Sequence, residues 1–170
     1  MISIIRRYEK ITPLLDDRKK ILGIENEPST NTGNGKETAE FLRELNHPRV
    51  KAIWDPANNL FSEVPEDPFP DGYSQIKRYL VHVHIKDARR TVEEGPSCVP
   101  IGHGQVDWKA QIRQLKVDGY AGFLSLETHW RPTPLSEPVL RQPGGNRFSE
   151  EGEGASRICL ENLALLTRDL

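Results

Sequence analysis

Four short apolar runs, each ending in acidic or imidazole residues, constrain this chain more than any other feature. They span Lys20–Glu25, Val50–Asp55, Tyr79–Ile85 and Gly122–Leu126, the last running directly into Glu127. Between them lie stretches with helical spacing of apolar residues: 1–19, 36–45, 72–78, 108–117 and 149–167. Ile4, Ile5, Tyr8, Ile11 and Leu15 mark the first stretch, Ala39, Leu42 and Leu45 the second, and Ile158, Leu160, Leu163 and Leu166 the last. Pro13 is expected to kink or divide the first helix, and Asp107 is placed to cap the fourth. Residues 28–35, 56–71, 87–106 and 128–149 read as loops. Strands alternating with helices imply βαβ units and a parallel sheet, so the fold class is α/β. A complete eightfold βα barrel takes about 250 residues. At 170 residues the chain has room for roughly half of one, with about four strands and five helices in one domain, 1–170.

The strand ends hold the chemistry. Side chains along a strand alternate between faces. Ile24 therefore faces away from Glu25 and Glu27, and Asp55 shares a face with Ile53. His82, His84 and Lys86 oppose Val81, Val83 and Ile85, while Ser125, Glu127 and His129 oppose Leu124 and Leu126. In parallel α/β folds, sites form at the C-terminal ends of strands. Glu25, Asp55, His84 and Glu127 would converge there. Three carboxylates cannot sit together ionised without a cation to offset their repulsion. One imidazole and three carboxylate oxygens suit one divalent ion such as Mn²⁺, Mg²⁺, Co²⁺ or Zn²⁺.

Around that set lie the candidate substrate contacts Glu27, Asn58, Lys86 and His129. A salt bridge at the mouth, or a second cation, competes for Glu27. His82, one step below His84, is expected to be a hydrogen-bonded core residue. Gly102 and Gly104, flanking His103, read as loop geometry rather than a phosphate cradle. Trp108 reads as a packing anchor, Arg89 and Arg90 as a solvated pair, and Cys98 and Cys159 as ordinary thiols. The formal net charge of −2 argues against nucleic-acid binding by general phosphate attraction. No apolar run reaches the ~18 residues needed to cross a bilayer. The N-terminus lacks the apolar stretch of a signal peptide, and two cysteines make no disulfide scaffold, so the expected compartment is the cytoplasm.

Taken together and in this order, GIENEPSTNTGNG, AIWDPANN, VHVHIKDA, IGHGQVDW and GFLSLETHW resemble the sugar phosphate isomerase/epimerase family with its xylose-isomerase-like TIM barrel. The resemblance covers about residues 20–165 and corresponds to the C-terminal half of that barrel. It implies a metal held by Glu25, Asp55, His84 and Glu127, with Glu25 and Glu127 doubling as the acid/base pair. The implied reaction is isomerisation or epimerisation of a sugar, sugar phosphate or polyol derivative, through a metal-stabilised enediolate. In a full member, four more βα units would precede residue 1. The chain is then a fragment, one of two identical halves, or the complement of another polypeptide covering the open barrel. Two other functions compete: an inactive metal-binding remnant or subunit, and an abasic-site endonuclease-like phosphodiesterase, which would require more His ligands and a cluster of zinc ions.

Overall fold

The computed structural model describes residues 2–64, 66–133 and 151–170. Its main sheet has four strands, β1 (Leu22–Glu25), β2 (Val50–Trp54), β3 (Leu80–Ile85) and β6 (Leu124–Leu126), in the order β1-β2-β3-β6. All three pairings are parallel. Helices α1 (Ile2–Arg18), α2 (Gly35–Leu45), α3 (Tyr73–Ile76), α4 (Trp108–Val117) and α5 (Gly152–Thr167) complete the expected alternation. This is the α/β architecture of a partial βα barrel. The expected loop 128–149 and the start of the last helix at Ser149 fall largely on residues 134–150, outside the described residues.

The sheet buries one face. Ile24, Val50, Ala52, Trp54, Val83 and Ile85 pack against Phe41, Leu42, Ile76, Trp108, Ile112 and Leu115. Trp54 Nε1–H donates to Gln111 Oε1 (3.0 Å), tying β2 to α4. The opposite face, with Ile53, His82, His84 and Ser125, is only half-buried. That opposition follows from period-2 alternation.

Each main helix has a local cause. Asn34 caps α2 by accepting from the Glu37 N–H (2.9 Å), and Glu37 Oε2 accepts in return from the Gly33 N–H (2.8 Å). Asn46, in the left-handed conformation, ends it. Asp107 caps α4 through the Ala110 N–H (2.9 Å), as its position predicts. Pro13 does not divide α1. Proline cannot donate to the carbonyl four residues back, and here the Thr12 hydroxyl donates to that Glu9 carbonyl (3.1 Å).

The structure departs from four expectations. The segment 87–106 is not all loop: β4 (Asp87–Thr91) and β5 (Gly95–Val99) form an antiparallel hairpin. In α1 the buried stripe runs through Thr12, leaving Ile11 exposed. In α5 it runs through Ala155 and Cys159, leaving Ile158 and Leu160 exposed. The segment 56–71 also contains a 3₁₀ turn, Pro56–Leu60.

Candidate metal centre

The register of the sheet levels its strand ends. Between β2 and β3, Ala52 pairs with Leu80 but Ile53 with His82, so β3 carries one extra residue, Val81. Trp54 then pairs with Val83, which brings Asp55 level with His84. On the other side His84 pairs with Ser125, and the Glu127 N–H continues the ladder to the Ile85 carbonyl (3.0 Å). Glu25 ends β1 opposite Ile53. As a result Glu25, Asp55, His84 and Glu127 each offer one donor atom, all within 4.8 Å of one another. The two glutamates come from the outermost strands, with Asp55 and His84 between them.

The carboxylates of the cluster face two basic groups, His84 and Lys86. His84 Nδ1 lies 3.0 Å from Glu25 Oε1 and 3.7 Å from Glu127 Oε2. Lys86 Nζ lies 2.7 Å from Asp55 Oδ2 and 2.9 Å from Glu127 Oε2. Burial pushes the Asp55 carboxyl up to about 7 against the opposing pull of Lys86. For Glu127, burial also raises the pKa, but the Lys86 charge outweighs it and holds the carboxyl below its ordinary range. The hydrogen bond with Glu25 raises His84. Burial opposes the Lys86 charge, yet Asp55 and Glu127 together raise that group.

Asp55 is held in place from several directions. Its Oδ1 accepts from the backbone N–H groups of Ala57 (2.9 Å) and Asn58 (3.3 Å), capping the 3₁₀ turn. Asn26, fully buried, accepts from the Asp55 N–H (2.7 Å) and donates to its carbonyl (2.7 Å). Asp55 Oδ2 is buried and lacks an aligned hydrogen bond; its near neighbour is the Lys86 ammonium. A fully buried carboxylate gathered with two more carboxylates and an imidazole fits a divalent ion that prefers oxygen and tolerates one nitrogen.

All four candidate substrate contacts, Glu27, Asn58, Lys86 and His129, line one groove of about 410 Å³, together with Phe61 and Cys98. Asn58 Nδ2 also donates to Glu25 Oε1 (3.3 Å). His129 Nε2 lies 3.9 Å from Glu127 Oε1, and burial lowers its pKa. Glu27 caps its own turn, its Oε1 accepting from the N–H (3.1 Å) and hydroxyl (2.9 Å) of Ser29. His82 does not enter a hydrogen-bonded core. It is half-buried on the uncovered face, edge-on to His84 with ring centroids 5.3 Å apart.

Other residues take structural roles. Trp108 is buried as expected, and its Nε1–H donates to the Lys86 carbonyl (3.1 Å). Gly102 (φ +83°) and Gly104 belong to a loop whose N–H groups donate to Asp87 Oδ2 (2.8 and 3.1 Å). Arg90 is not merely solvated: it donates to the carbonyls of Leu60 (3.2 Å) and Ser62 (2.9 Å). Cys98 and Cys159 are free. Sequence reasoning missed Asn26 and the Cys98 wall. A polar residue between two strand-end glutamates could have signalled the first; nothing in the sequence pattern signals the second.

The sequence matches the xylose isomerase-like TIM barrel family over residues 2–151, and the chain belongs to that family. No curated protein matches it at significant similarity. Solved structures match throughout its length. The probable 3-DHS dehydratase AsbF, involved in petrobactin synthesis in Bacillus anthracis, is 22% identical with a TM-score of 0.67, covering 97% of this chain and 56% of that one. A xylose isomerase-like TIM barrel protein from Mycobacterium smegmatis, in complex with magnesium, is 20% identical with a TM-score of 0.62, covering 94% and 50%. D-allulose 3-epimerase from Methylomonas sp. is 16% identical with a TM-score of 0.63, covering 98% and 54%. The chain thus spans about half the length of these structures. Among the described residues, no helix is long and apolar enough to cross a membrane.

Proposed function

We propose that this chain supplies the metal-binding and proton-transfer side of a sugar isomerase or epimerase acting on a sugar, sugar phosphate or polyol derivative. The observation that carries this reading is the convergence of Glu25, Asp55, His84 and Glu127 within 4.8 Å at the ends of four parallel strands. These four would hold one divalent ion. When bound, that ion supplies Lewis-acid polarisation of a substrate carbonyl. Glu127, whose carboxyl the Lys86 charge holds below its ordinary range, takes the proton from the carbon beside that carbonyl. Glu25, on the far side of Asp55 and His84, returns a proton to the opposite face or to the neighbouring carbon. Asn58 steadies Glu25, and Glu27 and His129 border the space where substrate hydroxyls would lie.

The cluster contains a single imidazole, which supports this reading over a phosphodiesterase built on several zinc ions. The half-buried sheet face favours one further reading, a metal-binding subunit whose groove is completed by a second copy or a complementing chain.

The test is exchange of substrate C–H with solvent deuterium across a panel of ketoses, ketose phosphates and inososes in the presence of Mn²⁺. Exchange that falls by about 10²–10⁴-fold in both Glu127→Gln and Glu25→Gln is the expected result. Exchange unaffected by either change contradicts the assignment.

A further inference from the structure

Lys86 is an almost completely buried charged group. Its side chain is 4% exposed, which is unfavourable for an ammonium unless carboxylates surround it. It contacts Asp55 Oδ2 and Glu127 Oε2, one oxygen from each of two members of the cluster. The other oxygens are turned elsewhere, Asp55 Oδ1 to the turn at Ala57 and Glu127 Oε1 toward His129.

The lysine is mounted on a rigid base. Trp108 fixes its carbonyl (3.1 Å). The next residue, buried Asp87, accepts from the N–H groups of Ala88 (2.9 Å), Gly102 (2.8 Å), Gly104 (3.1 Å) and Val106 (3.3 Å). A Cβ on Gly104 would lie 2.0 Å from Asp87 Oδ1, so this loop closes on the carboxylate only with glycine there. The ammonium is therefore delivered to the two oxygens by the backbone, and does not merely drift to them as a surface lysine would.

We propose that Lys86 is a built-in counter-cation: it draws Asp55 and Glu127 together before a divalent ion arrives, and it holds down the affinity of the cluster for that ion. The second half rests on the metal reading given above; the first does not. Two cations held by the same two carboxylates repel, and burial leaves that repulsion weakly screened. Removing the lysine charge then acts with opposite sign on the two states. The metal-free cluster keeps three carboxylates facing one imidazole and loses stability. The metal-bound cluster is relieved of a repulsion. A lysine that served only to hold substrate would affect neither. One that only oriented the ligands would, when removed, weaken metal binding.

The experiment compares the chelator-treated chain with Lys86→Met and Lys86→Arg, by thermal unfolding without metal and by calorimetric titration with Mn²⁺. For Lys86→Met the expected results are a metal-free melting temperature lower by about 5 °C or more and Mn²⁺ affinity higher by at least about tenfold. Lys86→Arg, which retains the charge, stays near wild type in both. Should Lys86→Met not fold without metal, Mn²⁺ restores its folded circular dichroism spectrum; failure to do so overturns the proposal. An unchanged metal-free melting temperature, weaker Mn²⁺ binding by Lys86→Met, or Lys86→Arg behaving like Lys86→Met also overturns it. A wild type that takes up no Mn²⁺ contradicts the metal reading instead, so the two failures are told apart.

Discussion

Asn26 touches none of the proposed chemistry, yet it fixes where Asp55 can stand. Both hydrogen bonds between its amide and the Asp55 backbone are 2.7 Å long and fully buried. Asn26→Ala leaves a buried N–H and carbonyl unpaired, and urea unfolding should show a loss of about 2–3 kcal/mol. Gly104→Ala should cost about 1–3 kcal/mol in the same assay, because the added methyl meets the Asp87 carboxylate and the Ala88 carbonyl. At this scale, Glu25, Asp55, His84 and Glu127 were legible because strand periodicity alone puts them on one face at one end. Asn26 was not. Its partner lies 29 residues away, and no local period reports a hydrogen bond across that separation.

At the scale of elements, the four main strands and five helices could be read because their apolar patterns repeat. The hairpin could not. DARRT shows no alternation, and GPSCV contains a proline, which is ordinarily a mark against a strand. The face of α1 was misjudged by one residue because Thr12 is buried, its hydroxyl satisfied by the carbonyl that Pro13 leaves free.

Another element-level device is Glu66. It accepts from the Gly35 N–H (2.9 Å) and Asn59 Nδ2 (2.8 Å), joining the segment after β2 to the start of α2. Burial raises its pKa above 4.5, outweighing those hydrogen bonds. A raised carboxyl binds its proton more tightly in the folded state than in the unfolded state. Its contribution to stability is therefore present below the unfolded value and lost as pH rises through the folded one. Glu66→Gln should remove that dependence. Unfolding measured from pH 4 to 7 should show the stability of the variant, relative to wild type, increasing as pH rises.

Among the described residues, the molecule is a four-stranded parallel sheet with helices packed on its buried face, together with the β4–β5 hairpin. Its outer strands, β1 and β6, have no neighbour on their far sides among the described residues. Beside β6 stands Phe123, 84% exposed, followed by Leu124. An unpaired strand edge flanked by exposed apolar side chains promotes association. Sedimentation velocity should show concentration-dependent self-association that Phe123→Glu reduces; a monomer at all concentrations would contradict this.

The proposed function requires four strand ends, separated by as many as 102 residues in sequence from Glu25 to Glu127, to act as one metal site. Calorimetry with Mn²⁺, paired with thermal unfolding of wild type and His84→Ala, tests it most directly. One ion per wild-type chain is expected, with stability increasing by about 2.7 kcal/mol at a hundredfold excess over the dissociation constant. No such gain is expected in His84→Ala. Equal stabilisation of both proteins, or none in wild type with Mn²⁺, Mg²⁺, Co²⁺ or Zn²⁺, would contradict it.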